Sequence, residues 1–366
     1  IKILIKNILS PSIGRLLQEN IRNYTKTTHK SNIMISIVCP VYNEEKHIAG
    51  CLDSIIRQDY PHDQMEVLIV DGMSTDRTRE IVQQYTEQYP FIFLLNNPKK
   101  IVPVGLNIAI RVAKGDVIIR MDAHASYPDN YFSVLEKKLY ELNADNVGGR
   151  CRTLPAKQTP VCEAIAAALS SPFGMGDSHF RIGTDKEMQV DTVPFGCFRR
   201  EVFERIGYFD EELVRNQDDE FNGRIIKYGG RIYLIPSVVI NYYARDTIGK
   251  VSKMFYQYGL FKPLVSKKLG NPATVRQFFP PLFVLGLIVG LLLSIFSPLC
   301  RILYVTILAL YLFLAIYFSV KQFKNIKKIF LLIATFVTIH VSYGWGYLCG
   351  FVKMIMKRNL TAESNH

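Results

Sequence analysis

In the stretch VIIRMDAHASYP, residues 117–128, an apolar run leads into Asp122 and, two positions later, His124. Side chains at i and i+2 leaving a strand point the same way, so this carboxylate and imidazole could together hold a divalent cation. A lone D-x-H also arises when polar loop residues cap a strand, and only the strand-end setting lifts it. A second polar group is Asp218, Asp219 and Glu220 in RNQDDEFNGRI. A carboxylate there could act as general base toward a hydroxyl, although acids favour a helix start on electrostatic grounds alone. PVYNEE (40–45) offers Tyr42, able to stack on a flat ring, beside Asn43, Glu44 and Glu45, whose bland role is again a helix start. Asp71 in DGMSTD is either a hydrogen-bond acceptor or a turn former.

These residues need elements to position them. ISIVC (35–39), EVLIV (66–70), FIFLL (91–95) and VIIRM (117–121) read as buried strands. Amphipathic stretches lie between them, one capped by Ser74 or Thr75, one running from about Pro103 to Ala113, and another at 129–142. Strand–helix alternation of this spacing predicts a mostly parallel sheet covered on both faces. Ligands of such sheets sit outside the carboxyl ends of the strands. Asp71, Asp122 and PVYNEE all fall on that rim. After VGGRCR the pattern becomes irregular.

VCPVYNEEKHIAGCLDSIIRQ, VLIVDGMSTDRTREIV and GDVIIRMDAH occur in that order, and with them the chain resembles family 2 glycosyltransferases. These are inverting enzymes with a GT-A fold that use nucleotide-diphosphate sugars. TVPFGCFRREVFERIGYFDEELVRNQDDEFNGRIIKYGGRIYLIP is similar to the acceptor half of the succinoglycan-type glucosyltransferase branch. The resemblance covers residues 34–265. It implies a nucleotide slot at Pro40, Tyr42, Asn43, Glu44 and Asp71, with Asp71 accepting from the uracil ring N–H. Asp122 and His124 match the family's Asp-x-Asp metal motif, with His in place of the second Asp. A diphosphate leaving group needs a cation, and imidazole suits Mn²⁺ better than Mg²⁺, so a divalent cation with Mn²⁺ preferred is expected. Aligned to the family, Gln217 replaces a Glu and Asp218 takes the base position; the doubled acid leaves Asp219 as the rival. In VPFGCF, Phe195 and Gly196 either lie against a sugar or acceptor ring or form a tight turn before a helix. Gln257 falls where processive synthases carry Gln-x-x-Arg-Trp, but the Arg and Trp are absent, which argues against processive synthesis.

The chain has 366 residues, a net charge of +12 and 49% hydrophobic residues. Residues 278–296, 302–320 and 329–352 contain no charged side chain, and each is long enough for a bilayer core of roughly 30 Å. Lys262, Lys267, Lys268 and Arg276 precede the first, and Lys321, Lys324, Lys327 and Lys328 separate the second and third. By the positive-inside rule, residues 1–276 and the 321–328 loop are cytoplasmic. Lys353, Lys357 and Arg358 oppose this, since three crossings would leave the tail outside; an incomplete third crossing would keep it inside. Basic residues beside spans rather than along a soluble face exclude nucleic acid as the partner. Arg245 and Lys262 could neutralise a diphosphate, with lipid contact the competing use. The seven cysteines form no zinc spacing and fit a reducing compartment.

The expected protein is α/β: a GT-A domain with a mixed, mostly parallel sheet over 34–265, followed by C-terminal transmembrane helices. A leader occupies 1–33, either amphipathic or disordered, with a juxtamembrane linker at 266–277, a membrane domain of about three helices at 278–352 and a tail at 353–366. The expected function is transfer of a sugar, glucose by resemblance, from a UDP-sugar to a lipid-linked saccharide acceptor in surface polysaccharide assembly. The enzyme would be a multi-pass protein of the inner membrane with a cytoplasmic catalytic domain. A polyprenyl-phosphate sugar synthase and a catalytically silent partner of another synthase are the alternatives.

Overall fold

The computed structural model describes residues 33–272, 274–356 and 360. All but one residue of the expected leader, and most of the tail, lie outside these. The first half of the sheet is β1 (Ile35–Val41), β2 (Met65–Asp71), β3 (Ile92–Asn96) and β4 (Val117–Arg120), parallel in the order β3-β2-β1-β4. The connecting helices are α1 (Ile48–Ile56), α2 (Thr78–Gln88) and α3 (Val102–Val112). Every residue of β2 is buried, which is why it reads as an unbroken apolar run: helices cover both faces. The chain steps outward from β1 to β3 and then returns to β4 on the other side of β1. That reversal opens a crevice at the carboxyl ends of β1 and β4.

The second half is mixed. Next come β5 (Ala125–Ser126), α4 (Tyr131–Glu141), β6 (Asn146–Leu154), α5 (Pro160–Leu169), α6 (Pro172–Met175) and α7 (His179–Ile182). They are followed by β7 (Met188–Gln189), β8 (Cys197–Arg199), α8 (Arg200–Ile206), α9 (Gln217–Lys227), β9 (Ile232–Tyr243) and α10 (Ile248–Leu269). β8 lies antiparallel between β4 and β6, β9 runs parallel to β6, and β5 and β7 pair antiparallel with β9. This is the arrangement expected of a GT-A domain. The segment after 150 looked irregular because its strands are short or alternate between buried and exposed residues, so no long apolar run marks them.

Three apolar helices follow: α11 (Phe279–Phe296), α12 (Pro298–Gln322) and α13 (Ile326–Ile355), each long and apolar enough to cross a membrane. The domain boundary expected after residue 265 falls inside α10. That helix continues because its face is packed on the α/β domain through Leu260, Phe261, Val265 and Leu269, together with Leu213. A further cluster joins α5 (Ala164, Ile165, Ala168) to α10 (Val251, Met254, Phe255) and α13 (Leu332, Phe336, Ile339). Burying those three α13 side chains is worth about 5–9 kcal/mol as an upper bound.

Candidate active site

One cavity of about 1890 Å³ follows the carboxyl ends of β1 and β4 and continues to the apolar helices. It is larger than the 300–1,000 Å³ or so typical of a single small-ligand site, so it has room for two substrates. Pro40, Tyr42, Glu44, Asp122, His124, Phe195, Asp218 and Asp219 line it, so the structure brings together most of the residues singled out in the sequence. Asn43, Asp71, Gly196 and Gln257 do not line it.

The loops after β1 and β2 are stitched to each other. Asn43 has left-handed backbone (φ 53°), its N–H donates to Ser74 Oγ at 2.9 Å, and its Oδ1 accepts from the Thr75 N–H at 2.9 Å. The Glu44 N–H donates to Thr78 Oγ1 at 2.7 Å, and Glu45 accepts from the Arg77 N–H at 3.2 Å. Asn43 therefore fixes loop shape. Asp71 is fully buried, accepts from the Ser74 N–H at 3.2 Å and pairs with Arg79 at 3.2 Å, the arrangement of a turn former. Its neighbour Gly72 faces the cavity, where a methyl group would come within 3.3 Å of the Tyr42 ring, so Asp71 shapes the slot from behind.

At the β4 end, His124 Nδ1 lies 3.2 Å from Glu44 Oε1. That contact, ahead of opposing burial, raises the imidazole pKa. It also leaves Nε2 as the nitrogen free for a ligand, the carboxylate–histidine pairing common at metal sites. The sequence did not show Glu44 in this role. The Asp122 carboxylate lies 4.0 Å from the Arg120 guanidinium, and its backbone N–H donates to the Tyr127 hydroxyl at 2.8 Å. Among the described residues no three His, Cys, Asp or Glu side chains are grouped to hold a metal. One carboxylate and one imidazole fit a cation that takes its other ligands from a diphosphate.

The three acids of α9 separate cleanly. Glu220 is buried and pairs with Arg224 at 2.6 Å, a structural contact. Asp218 is ion-paired with Arg120, which is 7% exposed and ends β4 two residues before Asp122. Burial raises the Asp218 pKa above the ordinary aspartate value, and the guanidinium opposes this only in part. Asp219 instead accepts from Lys262 Nζ of α10 at 2.6 Å and points toward Asp191, Arg276 and Tyr343. Lys262 is itself buried, so lipid contact is not its use.

Arg120 was missed in the sequence, where a cation inside VIIRM was its only signal. Phe195 (φ 47°) lines the cavity beside it, with the guanidinium 6.0 Å from the ring centroid. Gly196 is a packing position, since a methyl group there would overlap Phe198 and Asn146. Gln257 is buried and accepts from Arg215 Nε at 3.0 Å, so Arg215, not Gln257, faces the cavity.

At the far end, Arg276 pairs with Asp177 at 2.5 Å and Asp191 at 2.7 Å. His340 Nε2 donates to the Phe173 carbonyl at 2.9 Å, and Nδ1 accepts from the Tyr311 hydroxyl at 2.9 Å.

Comparison with known proteins agrees with the fold. The glycosyl transferase family 2 domain matches residues 36–207. The chain is 31% identical over 243 residues to a dolichyl N-acetyl-alpha-D-glucosaminyl phosphate 3-beta-D-2,3-diacetamido-2,3-dideoxy-beta-D-glucuronosyltransferase of Methanococcus voltae, covering 64% of this chain and 74% of the relative. It is 31% identical over 261 residues to the succinoglycan biosynthesis protein ExoA of Rhizobium meliloti, covering 71% and 78%. A mannosyltransferase from Pyrobaculum calidifontis, solved with GDP-Man and Mn²⁺, shares the fold at a TM-score of 0.55 and 20% identity, over 91% of this chain and 95% of that one.

Proposed function

The chain belongs to glycosyl transferase family 2, and from that premise we propose that it transfers a sugar, glucose by resemblance, from a UDP donor to a lipid-linked saccharide, with inversion at the anomeric carbon. The observation that carries this reading is a single cavity in which Asp122, His124 and Asp218 meet and which runs on to the apolar helices. The names of the relatives from Methanococcus voltae and Rhizobium meliloti, a dolichyl-linked acceptor in one and succinoglycan in the other, support the acceptor class and surface polysaccharide assembly. The catalytic domain would sit on the cytoplasmic face of the inner membrane.

Tyr42 stacks on the base, and Pro40 and Gly72 shape the slot held by Asn43 and Asp71. Asp122 and His124 would hold a divalent cation, Mn²⁺ in preference to Mg²⁺, with Glu44 fixing the imidazole. When bound there, the cation would supply positive charge to offset that developing on the diphosphate leaving group. Asp218 accepts the proton of the acceptor hydroxyl while that oxygen bonds to the anomeric carbon and the bond to UDP breaks. Arg120 pairs with Asp218, opposes the rise that burial gives its pKa and ties it to the metal end. Phe195 offers an apolar face to a sugar ring.

The test is nucleotide release by membranes carrying the protein, scanned over UDP- and GDP-sugars with Mn²⁺, Mg²⁺ or chelator. UDP release from one donor, fastest with Mn²⁺ and lowered about 10²–10⁴-fold in Asp218→Asn, is expected; His124→Ala should erase the Mn²⁺ preference. Release of GDP, or turnover unchanged by chelator, would overturn the donor or the metal assignment. Loss in Asp219→Asn with Asp218→Asn active would move the base by one residue.

A further inference from the structure

The helix α13 is apolar enough to cross a bilayer, yet both of its ends rest on the catalytic domain. In its first turn Lys328 is ion-paired with Glu163 of α5. At its other end Gly350 meets the Leu260 carbonyl of α10 so closely that a methyl group would overlap it. Gly346 meets the Tyr256 carbonyl in the same way, and Gly259 of α10 meets the Tyr343 carbonyl. Ser252 and Ser342 hydrogen-bond at 2.8 Å along this seam. Beyond the helix, Leu360 packs on the cluster of Leu213, Leu260 and Phe261. A helix that crossed the membrane would carry its far end about 30 Å from the side where it began. This one begins and ends on the same domain.

The neighbouring helices behave differently. The most apolar stretch of α13 is 33% buried inside the protein, against 17% for the α11 region and 6% for α12. A crossing α13 would also draw α10 into hydrocarbon, with Lys253 and Lys267 on it, at several kcal/mol for each charge near the centre. The outward side of α13 is nonetheless apolar. Phe330, Val337, Trp345 and Val352 recur every seven or eight residues and are exposed, forming one stripe opposite the buried face.

We propose that the chain crosses the bilayer twice, through α11 and α12, and that α13 lies along the membrane surface on the catalytic side. Its inner face is docked on α10 and α5, and its Phe330–Trp345 stripe sits in the boundary between headgroups and acyl chains. Two crossings place Lys353, Lys357 and Arg358 on the same side as the 321–328 loop, which removes the conflict in the charge pattern. This rests on the membrane-anchored reading above and deepens it. The wall between the lipid surface and the catalytic acids is then α13 itself, which presents Ile339, His340 and Tyr343 to the cavity.

Two measurements test it. Five of the seven cysteines are buried, while Cys300, beside the α11–α12 turn, and Cys349 are half-buried. In Cys349→Ala protein, native Cys300 reports the hairpin tip. In Cys300→Ala/Cys349→Ala protein, Lys324→Cys and Ser364→Cys report the loop before α13 and the tail. With sealed vesicles of each orientation and an impermeant maleimide, Cys300 should label from one side, and Lys324→Cys and Ser364→Cys from the other. Labelling of Ser364→Cys on the Cys300 side would mean three crossings and overturn the inference. Labelling of all three from the catalytic side would overturn the membrane hairpin, and with it the anchored reading.

The second needs no substitution, because Trp345 is the only tryptophan in the chain. A crossing α13 would hold it about 7 Å from the bilayer midplane at 1.5 Å per residue. In vesicles of phosphatidylcholine brominated near the headgroup or near the chain end, a surface helix is quenched more by the shallow bromines. Stronger quenching by the deep bromines would overturn the inference.

Discussion

The two ends of the catalytic cavity are built in opposite ways. At the end proposed for the donor, Tyr42, Glu44, Asp122 and His124 follow the adjacent parallel strands β1 and β4, and the loops after β1 and β2 hold one another through backbone N–H groups that donate to side-chain oxygens. At the end proposed for the acceptor, the polar contacts join segments far apart in the chain: Asp219 with Lys262, 43 residues on, and Phe173 with His340, 167 residues on. The first end is a property of the sheet; the second exists only once α10 and the apolar helices have docked. Donor chemistry should therefore survive damage to the acceptor end, whereas the reverse does not hold.

The largest effect that sharpens this contrast is expected from Asp122→Ala. Losing the cation site removes several kcal/mol of charge stabilisation, so both nucleotide release and sugar transfer should fall about 10³-fold. A variant that still transferred sugar while losing only donor hydrolysis would break the comparison. Next in size is Lys262→Met, which leaves Asp219 without its buried cation. The acceptor KM should rise about tenfold while the donor KM stays within about twofold, as expected when one partner of a buried pair is removed. A donor KM that rose equally would show that the two ends are not separable.

The smallest effect is on pH dependence. Asp218 must be ionised to act as base, and its pKa lies above the ordinary aspartate value, chiefly through burial. The acid limb of kcat/KM should therefore lie above the ordinary aspartate range, with activity lost as pH drops through it. Arg120 is the opposing influence, so Arg120→Gln should move that limb further to higher pH. An unmoved limb in Arg120→Gln would remove the bridge between the metal end and the base.

The donor end was largely legible in the sequence for the same reason that it is robust. Buried parallel strands leave unbroken apolar runs, and VIIRM followed by Asp122 and His124 marks a strand end without tertiary information. What escaped was pairwise: Arg120 meeting Asp218 across 98 residues, and Glu44 meeting His124 across 80. Asp71 and Asn43 have side chains suited to a nucleotide but are turned to loop hydrogen bonds, a choice that only geometry reveals. The acceptor end was nearly invisible. Its acids and cations sit in unrelated segments, and the 22-residue α10 carries Pro263 and a run of lysines that mask its continuity. The third apolar segment was read correctly as apolar; that one of its faces is matched to protein depends on glycines at 346 and 350 whose partners lie elsewhere.

The glycine seam between α10 and α13 joins backbone to backbone, so no side-chain rotamer can absorb a relative displacement. The two helices consequently behave as a single stiff lever. A change of tilt or depth in α13 is transmitted to α10, which carries Gln257 and Lys262 and hence the placement of Arg215 and Asp219. With α13 on the membrane surface as proposed, lipid packing around the protein would act on the distance between the two reacting molecules, giving catalysis a mechanical input from the surface on which it works.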